Sequence, residues 1–214
     1  IESFQRLTAT GRVEILSETY YHSLSFLYSR DEFESQIRLH RERVEKLFGI
    51  TPSVFRNTEL IYNNEIGRII EELGYKGILT EGADKILGWQ SPNYLYHAEG
   101  TRNLKLLLKN YKLSDDVAFR FSEKSWKEHP LTVEKYSHWI SAPQGDIINL
   151  FMDYETFGEH QWEDSGIFNF LRHFPGEILK NEHNRFITPT EATEIIETRG
   201  SLSIPHYISW ADTE

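Results

Sequence analysis

An α/β fold, with a mainly parallel sheet and helices packed outside it, is what this sequence predicts. Short runs rich in Ile, Leu, Val and Phe alternate with amphipathic stretches of helical period, the pattern of repeated βα units. The length of 214 residues suits one sizeable core, and α/β barrels of this size fold as a single domain.

Each element follows from its own residues. VEILSE (13–18) is short and apolar enough to be a buried strand. Phe33, Ile37, Val44, Leu47 and Phe48 form a helical stripe that Gly49 and Pro52 end. SVFRNTE (53–59) is the second strand, followed by Ile66, Ile69, Ile70 and Leu73 at helical spacing, with Gly74 as the stop. GILTEG (77–82), KLLLKNY (105–111) and IINLFMD (147–153) are three further strands. Ile167, Phe170, Leu171 and Phe174 make another helix face, and Thr188, Pro189 and Glu191 form a capping box with proline at the first helical position. The sequence holds no internal repeat, low-complexity tract or Gly/Ser linker.

Composition narrows the function. A formal net charge of −10, from 33 acidic against 23 basic residues, argues against nucleic acid as a partner, because phosphate-tracking surfaces carry basic excess. The lack of cysteine excludes disulfides, thiolate metal sites and thiol catalysis, and is compatible with the reducing cytoplasm, where the chain is expected. No apolar run approaches the ~20 residues of a membrane span, so no membrane partner is expected. The chain opens on Ile1 in mid-pattern, which reads as a fragment of a longer protein.

Acids stand where the predicted strands end. Ligand sites of βα folds lie at the carboxyl ends of the strands, and Glu18, Glu59, Glu81 and Asp153 occupy or adjoin those positions. Convergence of four carboxylates on one face, with partial burial, raises some of their pKa values; acids placed singly after strands also serve as helix caps. Tyr20, Tyr21 and His22 follow the first strand, Tyr62 follows Glu59, and Tyr154, Phe157, His160 and Trp162 surround Asp153. Rings with polar tips suit the faces and hydroxyls of sugars, although core packing is the plain alternative for Phe157. Two carboxylic acids flanking one bond are the minimum equipment for glycoside hydrolysis.

GRVEILSETYYHSL, FRNTELIYNNE and MDYETFGEHQW, in this order, resemble the conserved blocks of glycoside hydrolase family 57, in its archaeal and bacterial α-amylase-like branch. SPNYLY, LLLKNYKLSDDVAFRF and the closing ISWADTE extend the similarity over nearly the whole chain. The resemblance implies an incomplete (β/α)7 barrel followed by a helical region, and an activity that hydrolyses or transfers α-glucans with retention of configuration. It implies Glu59 as catalytic nucleophile and Asp153 as general acid/base, with Arg56 holding Glu59 ionised and a less polar setting keeping Asp153 protonated. Glu14, His22 and Glu155 match positions the family uses around the substrate, Tyr154 and His160 stand in the Asp153 block, and Trp210 matches a tryptophan of the helical region that borders the glucan site, with core packing as its alternative.

No cofactor and no metal are implied, and the expected partner is an α-glucan such as starch, glycogen or a maltooligosaccharide; the sequence leaves oligomeric state open. The family's opening His-Gln-Pro block is absent and the likeness stops at Glu214, so the resemblance implies a catalytic barrel domain over 1–214, truncated at both ends, with the helical region starting near 187. The nearest alternative activity is 4-α-glucanotransfer on the same site. A non-catalytic glucan-binding barrel fragment is the rival from another class. A metal-dependent hydrolase on a related barrel, a polysaccharide deacetylase or an α-mannosidase, is disfavoured because the nine histidines include no pair three to five residues apart.

Overall fold

The computed structural model describes residues 1–212; Thr213 and Glu214, which close the ISWADTE block, lie outside the described residues. Along the chain come α1 (Glu2–Thr8), α2 (Arg30–Phe48), β1 (Val54–Arg56), α3 (Asn64–Glu72), β2 (Gly77–Glu81), α4 (Asp84–Leu87) and β3 (Leu95–Ala98). There follow β4 (Lys105–Lys109), α5 (Tyr111–Ala118), α6 (Val133–Ser141), α7 (Ile167–Ile178), α8 (Pro189–Ile195) and β5 (Thr198–Leu202). The five strands form one sheet in the order β1-β2-β4-β3-β5. Parallel pairing joins β1 to β2, β2 to β4 and β3 to β5, and β3 runs antiparallel to β4. The α/β, mostly parallel architecture expected from the sequence is the one observed.

Alternation along the strands separates two apolar layers. Phe55, Ile78, Leu106 and Leu108 point outward into a core with Phe33 and Ile37 of α2 and Ile66, Ile69 and Ile70 of α3. Val54, Leu79 and Leu107 point inward, where Leu60, Leu95 and Ala192 of α8 join them. A third cluster joins α5, α6 and α7 through Leu113, Val117, Tyr136, Ile167 and Phe170. Side chains and glycines cap the helix ends. Ser29 caps α2 by accepting from Glu32 N–H, and Gly49 ends it at φ 69°; Asn63 caps α3; Thr188 and Glu191 close the capping box of α8.

Two of the five expected strands are reduced to single bridges. In 13–18 only Ser17 pairs, parallel to Phe55, and in 147–153 only Asn149 pairs, parallel to Lys109. Side chains have taken the bonds a ladder would make: the Asn149 amide donates to Leu108 O at 3.0 Å, and Phe151 N–H donates to Ser114 Oγ at 3.1 Å. These bridges still extend the parallel arc beyond β1 on one side and β4 on the other. Conversely, β3 and β5 are strands where none was expected. They pair with each other and with the amino-terminal half of β4. Residues 187–212 thus supply one short helix and then a strand of the same sheet.

Candidate active site

The carboxyl ends of the parallel segments open onto one cleft of about 590 Å³, lined by Leu16 in the first segment and His22 after it, Arg56 at the end of β1 and Glu59 and Leu60 after it, Leu79 of β2, Leu150 to Glu155, and Trp210. A larger hollow of about 840 Å³ lies between residues 140–151 and 181–196 and is lined by none of the four strand-end acids named above. The smaller cleft is the one that brings two of those acids, Glu59 and Asp153, together.

Glu59 sits at the tip of a tight turn. The buried Asn57 amide donates to Ile61 O at 2.9 Å and closes the turn, and Glu59 and Leu60 both adopt left-handed backbone, at φ 56° and 53°. His22, at φ 50°, is the third non-glycine residue with positive φ among the described residues. Each costs roughly 1–2 kcal/mol for a residue with a Cβ. All three line the cleft, the clustering expected when strain serves a site. The two loops are tied together by the buried Thr19 and Thr58 hydroxyls, 3.0 Å apart, and Trp210 N–H donates to Glu59 O at 3.2 Å.

The basic partner of the Glu59 carboxyl is His22, whose Nε2 lies 3.4 Å from Oε1. Arg56, expected to hold Glu59 ionised, instead approaches Glu18 at 3.8 Å. The other ring nitrogen of His22 is hydrogen-bonded to Glu18. The Glu18 hydrogen bond is the main cause that lifts the His22 pKa above its ordinary value; burial opposes it, and the Glu18 charge and the Glu59 hydrogen bond add to it. The result is a carboxylate–imidazole–carboxylate line with its cation next to Glu59.

Asp153, half-buried, ends the segment opposite, and its carbonyl accepts from Thr156 N–H at 3.1 Å to start the next turn. Glu155 and Tyr154 line the same cleft. Tyr154 is 82% exposed, with its ring centroid 6.2 Å from that of Phe4. Trp210 lines the cleft and also packs on the inner apolar layer. Glu14 and His160 lie elsewhere. Glu14 accepts from Thr190 N–H at 2.8 Å and Thr190 Oγ1 at 2.5 Å, at the amino end of α8. His160 is exposed, outside the cleft lining. The four strand-end acids do not all meet: Glu81 is buried outside the cleft lining, and burial, not its fellow strand-end acids, pushes its carboxyl up to about 7, with Lys109 opposing and Asp115 adding.

Sequence reasoning noticed Glu18 only as a strand-end acid and passed over Lys109. For Glu18 a signal was present, since Glu18 and His22 are four residues apart. Their bond nevertheless depends on the left-handed turn at His22, which no spacing rule supplies. Among the described residues no three His, Asp or Glu side chains converge as metal ligands would, and no helix is long and apolar enough to cross a membrane.

A mostly parallel α/β sheet with an acid-lined cleft at its strand ends is the frame of a barrel-type enzyme acting at those ends. The family model Glycosyl hydrolase family 57 matches residues 1–205, and the chain belongs to that family of glycoside hydrolases. A Methanocaldococcus jannaschii protein named "Putative alpha-amylase" is 50% identical over 217 residues, covering 100% of this chain and 46% of that protein. The chain therefore spans about half the length of this curated relative. Among solved structures, a 4-alpha-glucanotransferase from Thermococcus litoralis superposes with a TM-score of 0.75 at 19% identity, over 94% of this chain and 31% of that one. An alpha-amylase from Thermotoga maritima gives 0.69 at 14% identity, over 98% and 54%. These two likenesses are likenesses of fold.

Proposed function

We propose that this chain carries the active site of a retaining α-glucan-active glycoside hydrolase of α-amylase type, cleaving α-1,4-glucosidic bonds through a covalent glycosyl-enzyme. The observation that carries the reading is that Glu59 and Asp153, from segments far apart in sequence, line one cleft, with Glu59 held in left-handed backbone beside a histidine. The likeness to the "Putative alpha-amylase" supports the substrate class.

In the reaction, the Asp153 carboxyl gives its proton to the glycosidic oxygen while Glu59 attacks the anomeric carbon, so the leaving sugar departs as an alcohol and an ester joins glycosyl unit to Glu59. Asp153, now a carboxylate, takes a proton from water, the water oxygen attacks the same carbon, and Glu59 is released. Retaining chemistry of this kind works with the two carboxyl groups about 5–5.5 Å apart. His22 Nε2, 3.4 Å from Glu59 Oε1, orients that carboxyl in the free enzyme. Tyr154, Glu155 and Trp210, on the same wall, are the residues we assign to sugar contact, and neither a cofactor nor a metal enters the scheme.

A second reading, 4-α-glucanotransfer, is supported by the fold likeness to the Thermococcus litoralis enzyme. Transfer uses the same intermediate and differs only in whether water or a sugar hydroxyl resolves it. Products from maltooligosaccharides separate the two: longer chains signal transfer, shorter chains alone signal hydrolysis.

Roles are tested in the full-length protein. Glu59→Gln should abolish the covalent intermediate with every α-glucoside, whereas Asp153→Asn should still react with α-glucosyl fluoride, which needs no protonation, and then accumulate the adduct. Azide should restore turnover in the Asp153 variant. An adduct trapped by mass spectrometry on another residue, with neither variant rescued, overturns the assignment.

A further inference from the structure

Beneath Trp210 lies a charged group that the reaction scheme does not use. Glu81 and Lys109 end β2 and β4 and stand opposite each other in register. Both point inward, in line with Leu79 and Leu107, and both are buried, at 1% and 4% exposure. Lys109 Nζ lies 3.6 Å from Glu81 Oε2 and 3.2 Å from Asp115 Oδ1 of α5. One oxygen of Glu81 accepts from Gly82 N–H at 2.9 Å, and the other has no hydrogen-bond partner among the described residues. The strand ends are pressed together here: a Cβ on Gly82 would stand 2.3 Å from Lys109 O.

Such a group is poor value as a source of stability, since buried charges lose much of their attraction to desolvation and well-packed apolar residues often do as well. What it does have is a direction. Lys109 Nζ lies 5.9 Å from the Trp210 ring centroid, within the range where a cation is attracted to an indole face. The Trp210 ring lines the cleft and its backbone N–H holds Glu59 O.

We propose that Lys109, clamped between Glu81 and Asp115, is a positioning residue that fixes the Trp210 ring as a glucan-stacking wall of the cleft and, through the Trp210 backbone, steadies the turn bearing Glu59. The inference deepens the α-glucan reading and rests on it for the identity of the ligand. The charged side chains facing Glu81 are Lys109 from β4 and Asp115 from α5. Ionisation of Glu81, near pH 7, therefore changes the charge around the ammonium that Trp210 faces.

The full-length protein labelled with 5-fluorotryptophan tests this, with the Trp210 resonance identified by its loss in Trp210→Phe. The resonance is expected to titrate near pH 7, to lose that titration in Glu81→Gln, and to move in Lys109→Met but return toward its parent position in Lys109→Arg. On maltooligosaccharides, Lys109→Met should raise KM and lower kcat/KM by about tenfold or more, and should add little in a Trp210→Ala background, because the two changes remove one unit. A Trp210 resonance indifferent to Lys109→Met, or losses that multiply in the double variant, overturns the positioning role. A parent inactive on every glucan, with a Trp210 resonance that still follows Glu81 and Lys109, overturns the substrate reading and leaves the positioning role standing.

Discussion

His22 is the residue at which the chemistry of the cleft depends most directly on pH. Its ring bridges Glu18 and Glu59, and its pKa is raised above the ordinary histidine value, chiefly by the Glu18 hydrogen bond. The sign follows: the imidazolium is fully present below the ordinary value, persists past it in the folded chain, and is lost as pH rises through the raised value. Activity that depends on the cation should have an alkaline limb set by His22. His22→Gln should remove that limb and lower kcat/KM about tenfold, the worth of one charge-assisted hydrogen bond of about 1.4 kcal/mol at a half-exposed position. A pH profile of kcat/KM for parent and variant checks this, and an unchanged limb in the variant would assign it to another group. Glu59, Asp153, His22, Glu155 and Tyr154 stand in the sequence blocks that the resemblance singled out, Trp210 was left between cleft and core, and in the structure all six line the cleft. The pairing of His22 with Glu18 was not legible in the sequence, since it comes from a left-handed turn held by two threonines distant in sequence.

Helices in this chain were easier to read than strands. A helix satisfies its backbone internally and announces its ends locally, so Gly49 as the stop of α2 and the Thr188 capping box of α8 were read in sequence and stand in the structure, where Ser29 and Asn63 also cap α2 and α3. A strand satisfies its backbone on a neighbour. Residues 13–18 and 147–153 look like strands, yet each pairs at one residue, the second because Asn149 and Ser114 side chains occupy its backbone partners. TRGSL (198–202), with a central glycine, looks like no strand and becomes β5 because β3 lies beside it. The amino end of α8 has two supports, the Thr188–Glu191 capping box and the Glu14 carboxylate on Thr190. Thr188→Ala should cost about 1 kcal/mol of stability, read as a lower denaturant midpoint at unchanged slope. A loss far below this would mean that Glu14 alone holds the helix end.

At the scale of the whole molecule, the inward-facing charge at the strand ends couples folding to pH. The Glu81 carboxyl is raised from 4.5 to about 7, mainly by burial. Its sign is therefore opposite to that of an ordinary salt-bridged acid. The folded chain keeps a proton that the unfolded chain releases above about 4.5, so stability from this group is full below that pH and is lost as pH rises through about 7. Denaturation at pH 4.5, 6 and 8 should show this decline in the parent and a flatter profile in Glu81→Gln. A decline undiminished in the variant would place its source elsewhere.

By itself the sequence determined the α/β class, the positions of α2, α3, α7 and α8 but not of α5 and α6, the strands β1, β2 and β4, the family, and the two carboxylates that bear the proposed chemistry. These depend on local periodicity, capping chemistry and block order, which are written in contiguous residues. Tertiary structure alone decided that β3 and β5 join the sheet, that Glu14 braces a helix instead of the cleft, that Arg56 turns to Glu18 while His22 turns to Glu59, and that Lys109 is buried beneath Trp210. Each of those outcomes is a choice among partners distant in the chain, settled by which neighbour can satisfy a backbone group or a buried charge once water has been excluded.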